Sequence, residues 1–171
     1  MQSVFTRVLR ATVLAVAALT AVLGLSVVGV GSAGAATVTK VFYLNAKTAG
    51  ANGNYFDTGI TLPAGASATV SASGTAKFDP GYPSAGPNGS VYTCTNAIVG
   101  CPLLNAPYLA LIGKVGDQPS TLLGAGPSTA TGPGRLKLAI NDAFNGYVNN
   151  SGRYRVAITY TRTCPGLVCI G

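Results

Sequence analysis

Two segments in the C-terminal part of the chain alternate between apolar and polar positions. Segment 135–141 has leucine or isoleucine at every even position, and segment 153–161 has tyrosine, valine or isoleucine at every even position. A period of two with one polar face is typical of a half-buried antiparallel strand. The pattern therefore predicts a strand in each segment.

Two further segments carry strand signals of other kinds. Segment 66–72 alternates small apolar residues with serine and threonine, and segment 108–115 is almost continuously apolar. The second pattern predicts a central strand buried on both faces. Clusters of Gly, Pro, Asn and Ser separate these segments and predict turns or loops at 63–65, 79–89, 124–134 and 145–152. No segment has a 3.6-residue apolar stripe, so we expect an all-β protein, a small antiparallel β-sandwich of the jelly-roll kind.

The N-terminal segment has the three parts of a secretory signal peptide. Arg7 and Arg10 precede an apolar run at 11–30, and small residues with an A-x-A pattern follow at 32–36. We predict a signal peptide at 1–35, cleaved after Ala35, and a secreted β-sandwich domain at 36–171. An uncleaved membrane anchor is the alternative, because the apolar run is long enough to span a bilayer. No second run of that length follows, so no stable membrane insertion is expected after cleavage.

The charge balance argues against one class of partner. The chain has eleven Lys and Arg residues and four acidic residues, for a net charge of +7. The basic residues are scattered, whereas nucleic-acid binding usually requires a basic patch or stripe. We therefore expect no nucleic-acid partner, and we attribute the basicity to solubility or to a weakly anionic cell surface.

Four cysteines form two close pairs along the chain, Cys94 with Cys101 and Cys164 with Cys169. An exported chain meets an oxidising environment, which predicts two disulfides, each closing a short loop. Crossed connectivity stays open at this stage. Zinc binding is the other alternative, but the chain has no histidine and neither pair has C-x-x-C spacing.

The residues available for catalysis are few. The absence of histidine excludes a Ser-His-Asp triad. There is no glutamate, and the four aspartates are too far apart in sequence to indicate the facing pair of a glycosidase. The tripeptide Asp57-Thr58-Gly59 is found in aspartic proteases, where a chain this short would have to dimerise to pair two aspartates. The apolar strand expected before that aspartate is missing, and a polar turn opening a strand is the favoured interpretation. We expect no enzymatic activity.

The richest polar loop, 141–152, connects the two best-predicted strands. Asp142, Asn149 and Asn150 offer three side-chain oxygens there, and backbone carbonyls can add more. Calcium takes about six to eight oxygen ligands, including amide and main-chain oxygens. The loop therefore predicts a calcium site of low charge, with a plain turn as the alternative.

Four segments, in order, resemble the galactophilic lectin A (PA-I-like) galactose-binding family of bacteria. The resemblance covers about residues 55–161, and its last segment is the most specific. The segments are F-D-T-G-I at 56–60, A-S-G-T at 72–75, A-L-I-G-K-V-G at 110–116 and N-D-x(6)-N-N-S-G at 141–152.

The resemblance implies a small jelly-roll-like sandwich that binds one calcium ion, which itself coordinates two hydroxyls of galactose. Position by position, it implies a bridging carboxylate from Asp142, amide oxygens from Asn149 and Asn150, and main-chain carbonyls from Gly146 and Phe78. Five protein ligands and two sugar or water oxygens complete a seven-coordinate shell. The tripeptide at 57–59 is then a family feature of a strand start.

The departures from the family concern sugar more than metal. The histidine that helps to orient the sugar has no counterpart, and segment 79–107 is different. Tyr82 or Tyr108 in or beside that segment can stack on an apolar sugar face, with packing in the core or a loop as the alternative. Ala143 matches a position whose backbone contacts sugar. The sequence thus predicts a secreted, calcium-dependent, galactose-type carbohydrate-binding protein. The alternative is a structural or interaction module that kept the fold and lost the sugar.

Overall fold

The computed structural model describes residues 34–164 except 96, 98 and 99, and this part of the chain contains ten β-strands and no α-helix. Short 3-10 turns occupy Ala51–Gly53 and Gly146–Asn149. The strands are β1 (Gly34–Asn45), β2 (Phe56–Leu62), β3 (Ser67–Lys77), β4 (Thr93–Cys94), β5 (Ala106–Pro107), β6 (Leu111–Val115), β7 (Thr121–Leu122), β8 (Ser128–Thr131), β9 (Gly134–Ile140) and β10 (Ser151–Cys164). Within the described residues, no helix has the length and apolarity needed to cross a membrane.

The strands form two four-stranded antiparallel sheets and one short hairpin. Sheet A has the order β1-β10-β3-β8, sheet B has the order β2-β9-β6-β7, and β4 pairs with β5. Apolar residues of both sheets form one buried core between them. The prediction of an all-β antiparallel sandwich is confirmed.

Strand alternation explains why these two sheets pack against each other. Tyr154, Val156 and Ile158 of β10 are fully buried, whereas Arg153 and Arg155 on the opposite face are exposed. A slip of one residue would expose all three core side chains, and each fully buried side chain of this size contributes about 1.5–3 kcal/mol. The hydrophobic pattern therefore specifies the register of β10 strongly.

The predicted central strand is shorter than expected. β6 is buried on both faces as predicted, but it begins at Leu111 rather than at residue 108. Leu109, just before it, has a positive φ of 63°, which a strand cannot accommodate. Its N–H donates to the Asn141 carbonyl at 2.7 Å, and its carbonyl accepts the Tyr154 hydroxyl at 2.8 Å. These tertiary contacts override the local apolar pattern.

The prediction of a loop at 124–134 was wrong for the middle of this segment, because β8 lies there. β8 has the sequence Ser-Thr-Ala-Thr, and Ala130 is its only buried residue. Hydrogen bonding to β3 at the sheet edge makes it a strand, and a single buried alanine leaves no alternation to detect.

β1 was not predicted, and it pairs with β10 along its whole length, from Gly34 opposite Cys164 to Asn45 opposite Arg153. The strand begins two residues before the predicted mature start at Ala36. The predicted signal peptide falls almost entirely on residues 1–33, which lie outside the described residues.

Tyr154 links the core of sheet A to two loops. Its ring is fully buried, and its hydroxyl lies 2.8 Å from the Leu109 carbonyl, 2.9 Å from that of Gly86 and 3.4 Å from that of Ala85. Burial raises the pKa of this phenol, so it stays a neutral donor. One buried hydroxyl thus holds the segments that lead into β6 and out of β3.

We expect Tyr154→Phe to lower the free energy of unfolding by about 1–3 kcal/mol, because it leaves the buried Leu109 carbonyl without its donor and changes little else. Chemical denaturation followed by far-UV circular dichroism measures the change. Tyr160→Phe is the matched control, since Tyr160 lies on the same strand and is half-buried. Equal losses in the two variants would contradict the role given to the Tyr154 hydroxyl.

Candidate functional site

The loop from β9 to β10 buries a carboxylate and an amide side by side. Asp142 and Asn150 are each only 4% exposed. The Asn150 amide nitrogen donates to Asp142 Oδ2 at 2.7 Å and to the Ala46 carbonyl at 3.1 Å. The Ala143 N–H donates to Asp142 Oδ1 at 2.7 Å. The other polar atom of the amide, Asn150 Oδ1, is buried and has no hydrogen-bond partner.

The electrostatics of this loop favour a positive ligand. Burial raises the pKa of Asp142, although its hydrogen bonds from Asn150 and Ala143 act in the opposite direction. In the described part of the chain the one ion pair joins Arg135 and Asp57, so no basic side chain there neutralises Asp142. A buried carboxylate and an unpartnered carbonyl oxygen are both costly without a partner. A cation is one kind of partner that suits oxygen atoms of these types.

Gly146 brings the backbone of the 3-10 turn against the Asp142 carboxylate. A Cβ at this position would lie 2.7 Å from Asp142 Oδ1 and 3.0 Å from its Cγ. Such a contact is too close for a carbon, so any side chain here would displace the carboxylate. The turn is held by the Gly146 N–H, which donates to the Ala143 carbonyl at 2.8 Å, and by buried Tyr147, whose hydroxyl donates to the Ile140 carbonyl at 2.6 Å.

The end of β3 lies beside this loop. Lys77, the last residue of β3, is opposite Ser151 in the sheet, which places Phe78 and Asp79 next to the 149–150 segment. The Asn149 amide nitrogen donates to Asp79 Oδ2 at 3.4 Å. Asp79 was not predicted as a site residue. Its position directly after Phe78 was the available signal, since Phe78 itself was a predicted carbonyl ligand.

An open cavity of about 340 Å³ lies against Asp142. Its volume is within the range of about 300–1,000 Å³ that is typical of small-molecule sites. Ring centroids of Phe78 and Tyr82 are 4.6 Å apart, those of Tyr82 and Tyr92 are 5.6 Å apart, and those of Phe78 and Tyr108 are 6.2 Å apart. Tyr82 and Tyr92 are 42% and 47% exposed. The lining residues are Phe78, Tyr82, Tyr92, Tyr108, Asp142 and Ala143.

A hairpin carries two of these rings. The Tyr108 N–H donates to the Tyr92 carbonyl at 2.9 Å, and the Ser90 N–H donates to the Tyr108 carbonyl at 2.7 Å. The pairing of β4 with β5 continues this ladder, and the Cys94–Cys101 disulfide closes the loop beyond it. The hairpin therefore holds Tyr92 and Tyr108 side by side at the cavity.

Asn141 connects this hairpin to the carboxylate. Its side chain is fully buried; its oxygen accepts the Leu103 N–H at 3.0 Å and its nitrogen donates to the Leu103 carbonyl at 3.0 Å. The same nitrogen lies 3.2 Å from the Pro107 carbonyl. Since Asn141 directly precedes Asp142, its side chain holds the hairpin of Tyr92 and Tyr108 in place beside the Asp142 carboxylate. This role was not predicted, because no local pattern distinguishes a buried asparagine from one in a turn.

The structure brings the predicted site residues to one end of the sandwich. The predicted calcium ligands line or adjoin the loop that holds Asp142, and Tyr82, Tyr108 and Ala143 line the cavity beside it. Tyr92 was missed as a cavity residue. Among the described residues, no three His, Cys, Asp or Glu side chains cluster in the way of a metal site. The predicted ligand set, with one carboxylate, therefore depends on amide and carbonyl oxygens.

Asp57 has a local structural role. It accepts the Arg135 Nε–H at 2.7 Å and the Gly59 N–H at 2.9 Å, and the hydrogen bond from Arg135 is the main reason why its pKa lies below the usual value. The predicted Cys94–Cys101 disulfide is confirmed. The predicted Cys164–Cys169 disulfide is not tested, because Cys169 lies outside the described residues.

Comparisons with known proteins give a likeness among solved structures. No family model matches this chain, and no curated protein matches it. Among solved structures, the chain is similar to the N-terminal domain of EclA, described as a PllA-like lectin, with a TM-score of 0.53 and 21% identity. The match covers 70% of this chain and 94% of that one. The chain therefore has the fold of a lectin domain.

We expect Cys94→Ser/Cys101→Ser to lower the free energy of unfolding by about 2–3 kcal/mol, the loop-entropy value for a short closed loop. The variant should also broaden the NMR signals of Tyr92 and Tyr108 more than those of Tyr154, because the first two residues lie on the hairpin that the disulfide closes. Equal broadening throughout the protein would contradict a local role for the disulfide.

Proposed function

We propose that this protein is a secreted, non-catalytic, calcium-dependent carbohydrate-binding protein of the galactose type. The observation that carries the proposal is the buried Asp142–Asn150 pair, with its unpartnered amide oxygen, at the wall of an aromatic cavity. The lectin fold shared with the EclA domain supports it.

The residues present fit a calcium ion. Asp142 and Asn150 supply a buried carboxylate and a buried amide oxygen that lacks a partner, both hard oxygen ligands of the kind calcium prefers. Gly146 permits close approach of its backbone to that carboxylate. Asn149 and Phe78 would complete the set with an amide and a main-chain oxygen. When bound, calcium would take sugar hydroxyls as further ligands.

The aromatic wall of the cavity, formed by Phe78, Tyr82, Tyr92 and Tyr108, suits the apolar face of a sugar ring. Tyr82 and Tyr92 expose their rings at the cavity, and Tyr108 and Phe78 pack behind or beside them. Tyrosine is favoured at such positions because it presents an apolar body and a polar hydroxyl. In this proposal the wall takes the place of the histidine that the galactophilic family uses to orient the sugar. Tyr82, Tyr108, Ala143 and Asn149 contact the sugar beside Asp142.

A second function has one observation in its favour. The Asn150 amide nitrogen already donates to Asp142, and Asn149 already donates to Asp79, so the loop has an internal hydrogen-bond network of its own. A structural or interaction module that has lost its sugar would keep such a network.

We expect excess calcium to raise the melting temperature by roughly ten degrees relative to EDTA. A ligand at about a hundred times its dissociation constant adds about 2.7 kcal/mol to the stability of a domain of this size. The shift should vanish in Asp142→Asn, which removes the carboxylate and keeps its shape. Differential scanning fluorimetry measures both proteins.

A second site variant and two control variants sharpen this experiment. Gly146→Ala should abolish the calcium shift because its Cβ meets the carboxylate, whereas Gly81→Ala, with its nearest neighbour at 3.4 Å, should keep it. Asp117→Asn removes an exposed carboxylate after β6 and should also keep the shift. Absence of a shift in the wild-type protein would remove calcium from the proposal and favour the interaction module.

We expect Tyr82→Ala and Tyr92→Ala each to weaken galactoside binding by roughly 5- to 30-fold, since the stacking surface of one ring contributes about 1–2 kcal/mol. Calorimetric titration with methyl β-galactoside in excess calcium measures the effect. Tyr43→Ala, which removes an exposed tyrosine from β1, is the control and should leave affinity unchanged. An unchanged affinity in both cavity variants would separate sugar binding from this cavity.

A further inference from the structure

The outer face of sheet B carries two lysines directly opposite each other. Lys114 of β6 and Lys137 of β9 are cross-strand partners. Both side chains are half-buried. Like charges in this arrangement destabilise a sheet. The sandwich therefore holds two positive charges together at a cost in stability, on the face away from its core.

A cavity of about 170 Å³ lies beside the two lysines, and the Gly53–Tyr55 segment forms its other wall. The volume is below the roughly 300–1,000 Å³ typical of pockets that enclose a drug-sized ligand. The cavity therefore has room for one charged group rather than for a whole ligand. Asn54 adds an amide to the lining.

Lys114 is held in place by its neighbours. Its ammonium nitrogen lies 4.6 Å from the ring centroid of Tyr55, within the range of a cation–π contact. The Tyr55 hydroxyl is in turn hydrogen-bonded to Ser120 Oγ at 2.5 Å. This chain of contacts restrains the ammonium group at the cavity and reduces the entropy that binding would cost.

Among the described residues, no carboxylate forms an ion pair with Lys114 or Lys137. Asp57 lies opposite Lys137 in the sheet and attracts its positive charge, but the Asp57 carboxylate is hydrogen-bonded by Arg135 and by the Gly59 N–H. Asp79 and Asp142 belong to the loops at the candidate calcium site. Asp117, in the turn after β6, forms no ion pair within the described residues. The four aspartates are all the acidic side chains of the sequence.

We propose that Lys114 and Lys137 bind a tetrahedral oxyanion, a sulfate or phosphate group, in this cavity. Each ammonium group brings three N–H donors and a full positive charge, and the Asn54 amide brings two more donors. The anion replaces the repulsion between the two lysines with two attractive contacts. The site lies on different residues from the calcium and sugar site, and it does not depend on the proposed function.

The test uses inorganic sulfate and inorganic phosphate as probes, at constant ionic strength maintained with sodium chloride. We expect a saturable rise in melting temperature of roughly 4–6 °C at ten times the dissociation constant. Backbone NMR shifts should concentrate at residues 53–55, 114 and 137. In Lys114→Gln/Lys137→Gln both effects should be lost, and the variant should melt no lower than wild type in anion-free buffer because the repulsion is relieved.

Lys40→Gln/Lys77→Gln is the matched control, since it removes the same charge from sheet A and should keep both effects. Equal responses in the two double variants, or a wild-type response no larger than that to chloride, would overturn the proposal.

Dextran sulfate distinguishes the source of the anion. If dextran sulfate binds tenfold more tightly per sulfate group than inorganic sulfate, and Lys114→Gln/Lys137→Gln loses this binding, the site is assigned to a sulfate ester on a polymer. Equal affinities, both lost in that variant, assign it to a free anion.

Discussion

Buried polar groups at one end of the sandwich must find hydrogen-bond partners, and the site depends on how they do so. The Tyr154 hydroxyl joins the segments before β6 and after β3, the Tyr147 hydroxyl holds the turn that contains Gly146, and the Asn141 amide holds the hairpin of Tyr108. Leaving any of these groups unpaired would cost more than most surface contacts contribute. The loops at this end are therefore ordered by the core.

One buried polar atom does not meet this requirement for a hydrogen-bond partner. Asn150 Oδ1 is the buried side-chain atom without a partner in the described residues, and it belongs to the amide that bonds the Asp142 carboxylate. Polar groups in such positions are strained, or are partnered by a water molecule, an ion or another ligand. A pre-ordered loop with an unsatisfied oxygen and a poorly compensated negative charge suits a cation, whereas the lysine pair on sheet B has the opposite sign and suits an anion. The sandwich separates the two charges onto different surfaces.

Where the sequence carried a periodic hydrophobic signal, the structure agrees with it. β9 and β10 are the clearest cases, because their buried residues at the even positions of 136–140 and 154–158 are all large and apolar. β8 and the start of β6 are places where the hydrophobic pattern does not predict the structure. Ala130 is too small to mark a face, and Leu109 is apolar yet occupies a left-handed conformation imposed by contacts with Asn141 and Tyr154. Local pattern cannot report contacts between residues that are thirty or more positions apart.

For the site, the sequence by itself determined the loop and its chemistry: an aspartate and two asparagines at a definite spacing between two strong strands. Only the tertiary structure decided which rings stand beside that loop, because Phe78, Tyr82, Tyr92 and Tyr108 come from segments that meet through sheet pairing and the Asn141 anchor. It also decided that Lys114 and Lys137 are neighbours, since strand register brings together residues with no relation along the chain. Residue types set which contacts are chemically possible, and the packing of two sheets selects the ones that form.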